Sequence, residues 1–164
     1  TSILSEVTAT AVELNYVEGV TSAIQTQLDA KVTPTYTGDI NITGELIVDS
    51  YNETYAAITS TSGASVIDCE AGNTFSHVLT ESTILGFNNP PASGTAYTMS
   101  IEIIQDAGAS GYTVTWPPSV DFPAATAPTL SADASAVDVF VFSTRDGGTT
   151  WYGFTAGQAI ATPA

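Results

Sequence analysis

The sequence predicts a mainly β protein with a helical start: short N-terminal helices forming an oligomeric bundle, then an antiparallel β-sandwich, jelly-roll-like, as a head. Three observations predict it. Heptad spacing runs through the first thirty-odd residues, apolar residues alternate with a period of two from about Gly38 onward, and turn signals recur between short β-prone runs. The expected division is a helical oligomerisation segment over 1–33, a β linker or shaft over 34–52, the sandwich head over 53–157 and a C-terminal tail over 158–164.

The helical segment rests on a stripe. Ile3, Val7, Thr10, Leu14, Val17, Thr21, Ile24, Leu28 and Lys31 follow alternating steps of four and three, which puts a narrow seam on one side of a helix. Thr10-Ala-Val-Glu13 and Ser22-Ala-Ile-Gln25 each fit a capping box, in which a hydroxyl accepts a first-turn amide proton and the Glu or Gln reaches back. With Gly19 between them as a stop, the spacing predicts helices over 11–18 and 23–31. Helices this short are marginal alone in water, so their seam, Ile3, Val7, Leu14, Val17, Ile24 and Leu28, is expected to pack against sister copies. The competing expectation is that they fold back on the head of their own chain.

Composition narrows the partners. The 164 residues suffice for one full core, and 43% hydrophobic content argues against disorder. Seventeen carboxylates face only Lys31 and Arg145, giving a formal charge of −15 that would repel a phosphate backbone; nucleic acid is not expected as a partner. The acids are dispersed, as in a solvated coat. Cys69 is the one cysteine and is expected to be a buried small hydrophobe. No apolar run approaches the roughly eighteen residues that span a bilayer, and no basic-then-apolar signal opens the chain, so membrane insertion is not expected. The chain starts at Thr1, as a processed product or a piece of a longer protein would.

From Asp39 to Asp49 the even positions Ile40, Ile42, Gly44, Leu46 and Val48 share one face, predicting a strand pair or a strand bent at Gly44 whose apolar side, Ile40, Ile42, Leu46 and Val48, builds an interface. Tyr55–Ser60, Ala64–Asp68, Thr74–Thr80 and Thr83–Phe87 are further short β-prone runs between Ser-Gly, Ala-Gly and Glu-Ser turns. Tyr97, Met99, Ile101 and Ile103 alternate with Thr98, Ser100 and Glu102, a strand with one wet face; Tyr112, Val114 and Trp116 repeat the pattern. In Val137–Phe142, Val137, Val139 and Val141 line one side and Phe140 and Phe142 the other, so both faces need cover and the strand is central. Asp146-Gly147-Gly148 supplies a tight hairpin into Thr150–Phe154. The count is about eight strands over 55–156, at sandwich spacing.

Catalytic chemistry finds little material. Thr144, Asp146, Gly148, Thr150 and Trp151 match an Asp-box, the turn repeated once per blade in sialidases; it occurs once here, and the expected role is architectural. Sialidases also grip a carboxylated sugar with several arginines, against Arg145 alone. His77 lies in an alternating run, where a hydrogen-bonded strand residue is the plainer reading. No nucleophile elbow or Gly-rich phosphate loop is present, and no enzymatic activity is expected. No cofactor is expected either; calcium is the one ion whose ligand types occur, around Asp106–Ser110 or Asp133–Asp138.

Two stretches carry a resemblance. Glu13-Leu-Asn-Tyr-Val-Glu-Gly-Val-Thr-Ser-Ala-Ile-Gln-Thr-Gln-Leu-Asp-Ala-Lys31 resembles a module of structural proteins of tailed bacteriophages, marine and cyanobacterial ones in particular, common in tail-fibre-like chains. Thr113-Val-Thr-Trp-Pro-Pro-Ser-Val-Asp-Phe-Pro123, with Ala127-Pro-Thr129, Val137-Asp-Val-Phe140 and Asp146-Gly-Gly-Thr-Thr-Trp-Tyr-Gly153, is similar to the β-domain of such appendage proteins, and Gly38-Asp-Ile-Asn-Ile-Thr-Gly44 to β-repeats of fibre shafts. The resemblance implies a virion protein, a homotrimeric fibre with the head copies around one axis. Its implied partners are itself, other virion structural proteins and a host-surface glycan. Exposed aromatics such as Tyr112, Trp116, Phe122, Trp151 or Tyr152 could stack on sugar rings, although the plainer expectation is that most of them are core. The alternatives are a carbohydrate-binding or adhesin module of a bacterial surface protein, a capsid decoration or head-fibre protein, and a polysaccharide depolymerase. The receptor itself is not legible.

Overall fold

A computed structural model describes residues 42–160, together with Thr10 and Thr26. The chain divides into two compact units, Thr1–Val48 and Asp49–Ala164. The expected helices, and with them Ile3, Val7, Leu14, Val17, Ile24, Leu28 and Ile40, lie outside the described residues, Thr26 apart. Residues 42–54, expected to continue a β shaft to residue 52, carry no strand in the single chain, and Ile42, Leu46, Ile47 and Val48 are exposed.

The second unit holds nine strands: β1 (Tyr55–Ile58), β2 (Ala64–Asp68), β3 (Thr74–Val78), β4 (Thr83–Asn88), β5 (Tyr97–Ile104), β6 (Val114–Thr115), β7 (Val120–Asp121), β8 (Val137–Thr144) and β9 (Trp151–Ile160). They form a six-stranded sheet in the order β1-β3-β5-β8-β9-β7 and a three-stranded sheet in the order β2-β4-β6. Up to β6, odd strands enter the first sheet and even strands the second. Each pass therefore crosses between sheets, and strands that neighbour one another within a sheet run parallel: Tyr55 beside Thr74, Thr74 beside Ser100, Ala64 beside Ile84 and Thr83 beside Val114.

This corrects the expectation of an antiparallel, jelly-roll-like sandwich. Among the described strands, antiparallel pairing is confined to β5–β8 and β8–β9, with β7 added parallel to β9. The physical reason is the path of the turns. Segments 59–63 and 69–73 carry the chain to the opposite sheet instead of back into the same one, and period-two alternation is blind to strand direction. The C-terminal boundary moves as well, since Gln158–Ile160, assigned to a tail, complete β9.

Alternation does fix which side is inward. In β5 the burial follows Tyr97, Met99, Ile101 and Ile103, and in β8 it follows Asp138, Phe140, Phe142 and Thr144. These meet Ile67 and Leu85 of the smaller sheet in a single core with Phe75, Leu79 and Trp151. Aromatic rings dominate its centre: Phe87 lies 5.2 Å from Phe142 and 4.9 Å from Trp151, and Trp116 lies 4.9 Å from Phe140 and 5.4 Å from Phe142, all tilted or edge-on as the ring quadrupoles favour. Gly153 is required by close approach, since a Cβ there would stand 2.7 Å from the Phe122 ring. Phe142, fully buried and in contact with three of these rings, is the keystone; Phe142→Ala is expected to cost about 3–5 kcal/mol, read as the loss of unfolding free energy in urea with the slope unchanged.

Candidate functional site

Among the described residues, two buried polar clusters contain a titratable group, and both are closed on themselves. In the first, β2, β3 and β4 bring Ser65, His77 and Thr83 together with Ser60. The Ile58 carbonyl, 3.1 Å from His77 Nδ1, can only accept, so Nδ1 carries the proton and Nε2 is the acceptor. Ser60 and Ser65 hydroxyls lie 3.0 and 2.9 Å from Nε2, Ser65 donates to Ser60 at 3.1 Å, and Thr83 is 3.0 Å from Ser65. A Ser-His pair oriented by a carbonyl has the outline of a nucleophile and its base. Ser65 is 2% exposed and His77 fully buried, however, so no substrate atom reaches them, and the arrangement serves to satisfy polar groups between the sheets. Burial holds the imidazole pKa below its ordinary value, against the opposing pull of the Ile58 carbonyl.

The second cluster surrounds Asp138, an inward residue of β8 that sequence reasoning considered only as a calcium ligand. Its carboxylate accepts from Ser131 N at 2.7 Å, Ala159 N at 2.9 Å and Gln158 Nε2 at 3.3 Å. Desolvation pushes its pKa up, but the hydrogen bonds from Ser131, Ala159 and Gln158 together outweigh this and hold it below the usual carboxylate range. It thereby ties the 131 loop and the end of β9 to the sheet. Asp106 is likewise committed, accepting from Gly108 N, Ser110 N and Ser110 Oγ at 2.8–3.0 Å. No group of three Asp, Glu, His or Cys side chains that could hold a metal occurs among the described residues.

The Asp-box-like turn joins β8 to β9. Asp146 Oδ1 accepts from Thr144 Oγ1 and from Thr150 N, both at 3.0 Å, and Gly148 N donates to Thr144 Oγ1 at 3.2 Å. Gly147 and Gly148 take φ of 74° and 76°, which a side chain would resist, and Trp151 packs beneath, 1% exposed. The turn offers its polar atoms to its own backbone.

A cleft of about 410 Å³, lined by Val114, Trp116, Pro117, Val120, Asp121 and Phe122, is open to a ligand. Trp116 and Tyr112 are half-buried and Tyr152 is exposed; Trp151 is closed inside the core, and Phe122, 9% exposed, packs in the core while lining the cleft. An indole wall with a carboxylate at the rim can stack and hydrogen-bond a sugar ring.

The larger feature is the outer face of the six-stranded sheet. Register aligns Val78, Ile104, Val137 and Ile160 in one row and Ser100, Val141 and Phe154 in another. Val78, Phe154 and Ile160 are 52, 50 and 48% exposed. Only the Val137, Val139 and Val141 alternation signalled this face in the sequence; the rest depends on register. Comparison of the chain with family models, with curated proteins and with solved structures finds no match.

The two buried clusters make acid destabilising twice over. His77 has a lowered native pKa, so its contribution is complete above the unfolded value of 6.5 and is lost as pH falls below it; Asp138, also lowered, contributes above the unfolded carboxylate value of 3.8 and is lost below that. Urea midpoints measured from pH 8 to 3 should therefore decline first below about 6.5 and again below about 4. His77→Gln should remove the first decline. Asp138→Ala should cost about 3 kcal/mol at pH 7, by stranding two backbone amides.

Proposed function

We propose that the chain is a non-enzymatic structural protein of a phage virion, a homotrimeric fibre or similar appendage whose heads pack through the outer face of the six-stranded sheet. The phage reading comes from the resemblance of residues 13–31 and 113–153 to appendage proteins, and threefold symmetry comes with it. The observation that supports self-association independently is the placement of charge. On a chain of formal charge −15, this face carries one carboxylate at its centre, Glu102 beside Val139, and one at the β7 edge, Asp121, while the other residues of its central rows are Val, Ile, Phe, Ser and Gly. Like-charged copies repel one another across most of their surface, and a face with Glu102 as its one central carboxylate among apolar and hydroxyl residues limits that repulsion where they meet. Sheet edges and the N-terminal seam would be covered in the same assembly.

Attachment to the host would use weak contacts multiplied by three, with the cleft beside Trp116 as the platform for a glycan. That cleft also supports a second reading, a carbohydrate-binding or adhesin module of a bacterial surface protein. The two readings differ in whether glycan binding requires the oligomer.

Light scattering of the intact chain tests the assembly: a particle of about three times 16.9 kDa is expected, and a monomer at micromolar concentration would contradict the fibre reading. Val139→Asp, in the middle of the outer face beside Glu102, should raise the concentration needed for assembly at least about tenfold while leaving near-UV circular dichroism unchanged.

A further inference from the structure

The open edge of the three-stranded sheet has a sequence written for it. β2 is a terminal strand. Ile84 N donates to Gly63 O at 2.8 Å and Cys69 N to Asn88 O at 3.0 Å, which fixes Ser65 and Ile67 as the residues whose backbone faces β4. Val66 and Asp68 alternate with them. The amide and carbonyl of Val66 and the amide of Asp68 therefore point away from β4 and find no partner among the described residues. A flat edge strand with Val66 48% exposed invites another strand.

The register of the first sheet shows which strand would fit. β1 and β3 pair with a displacement of nineteen residues, Tyr55 beside Thr74 and Ile58 beside His77. The same displacement brings Thr43-Gly-Glu-Leu-Ile-Val-Asp-Ser50 onto Ser62-Gly-Ala-Ser-Val-Ile-Asp-Cys69. Gly44 and Asp49 match identically, Thr43, Ile47, Val48 and Ser50 match in kind, and the five residues that lead from Asp49 to Tyr55 equal the five that lead from Asp68 to Thr74. Residues 43–50 are thus a repeat of the segment that forms β2, yet in the single chain they carry no strand, and Leu46, Ile47 and Val48 are 67, 88 and 49% exposed.

We propose that Glu45–Asp49 of a neighbouring copy adds to the free edge of β2 as a parallel strand, with Ile47 beside Val66. In this register Leu46 and Val48 extend the inward line of Ser65 and Ile67, and Ile47 continues the outward line of Val66. The Val66 amide donates to Leu46 O, Val48 N to Val66 O, and the Asp68 amide to Val48 O. Asp49 stands beside Asp68, so the pairing strengthens with added salt. The inference rests on the self-association proposed above and specifies one of its contacts.

The test mixes two full-length chains in a Cys69→Ala background, one carrying Ile47→Cys and the other Val66→Cys. They are refolded together and oxidised gently. Strands paired side by side lie about 4.8 Å apart, within disulfide range, so a linked heterodimer is expected, with none when Ile84→Cys on the inner strand β4 replaces Val66→Cys. Val48→Pro, which removes the amide donating to Val66 O, is expected to abolish the link. Light scattering on the same mixture separates the two ideas. Oligomers without the link, or a link that survives Val48→Pro, overturn the strand addition and leave the fibre reading standing; a monomer overturns both.

Discussion

Backbone hydrogen bonding at the sheet margins is the constraint on which the rest depends. A chain that lays successive strands alternately into two sheets builds its core by stacking passes, each pairing with the one before. Such a stack has a first pass, and the outer edge of that pass is unpaired unless something supplies a strand. At the other margin of the larger sheet the open edge is shortened within the chain: β8 and β9 turn antiparallel and the two-residue β7 is the last strand. At β2 no such device is present among the described residues.

The interior is arranged to hold those passes in register. Phe75, Met99, Ile101, Phe140 and Phe142 provide apolar burial from the larger sheet and Ile67 and Leu85 from the smaller. Apolar contacts alone tolerate slippage, because a shift by two residues keeps the same face inward. The buried polar groups do not tolerate it. His77 needs the Ile58 carbonyl on one side and the Ser60 and Ser65 hydroxyls on the other, and Asp138 needs the amides of Ser131 and Ala159; a slipped strand would leave each stranded at a cost of about 1–3 kcal/mol per group. No buried side-chain nitrogen or oxygen among the described residues lacks a partner, as that arrangement requires.

Strand positions were largely legible in the sequence, because burial on one face writes a period of two whatever the topology. Ala64–Asp68 is read to the residue, and β3, β4, β5 and β8 to within one or two at their ends. Direction was not legible: it is decided by whether a five-residue connection stays in its sheet or crosses, and Ser-Gly or Ala-Gly serves either path. β7, two residues long, has no periodicity to detect, and β9 was cut short because Thr155–Ile160 lacks alternation and is exposed along most of its length. Of the features that bear on function, the Asp146 turn was visible as a motif, whereas the outer-face rows exist only once register aligns β3, β5, β8 and β9. The nineteen-residue repeat was present in the sequence throughout. It is hard to see there because Leu46 faces Ser65 and Glu45 faces Ala64, and it becomes plain only when the pairing of Tyr55 with Thr74 supplies the displacement.

The claim at the centre of this account is that the single chain is an incomplete unit, finished by its copies. Amide hydrogen exchange read at single residues along β2 tests it most directly, because Ser65 and Ile67 donate toward β4 whereas Val66 and Asp68 donate toward the open edge. The account predicts that all four amides are protected at concentrations where the chain assembles, and that dilution releases Val66 and Asp68 while Ser65 and Ile67 stay protected. Rapid exchange of Val66 and Asp68 at every concentration, beside a fully protected Ser65 and Ile67, would contradict it.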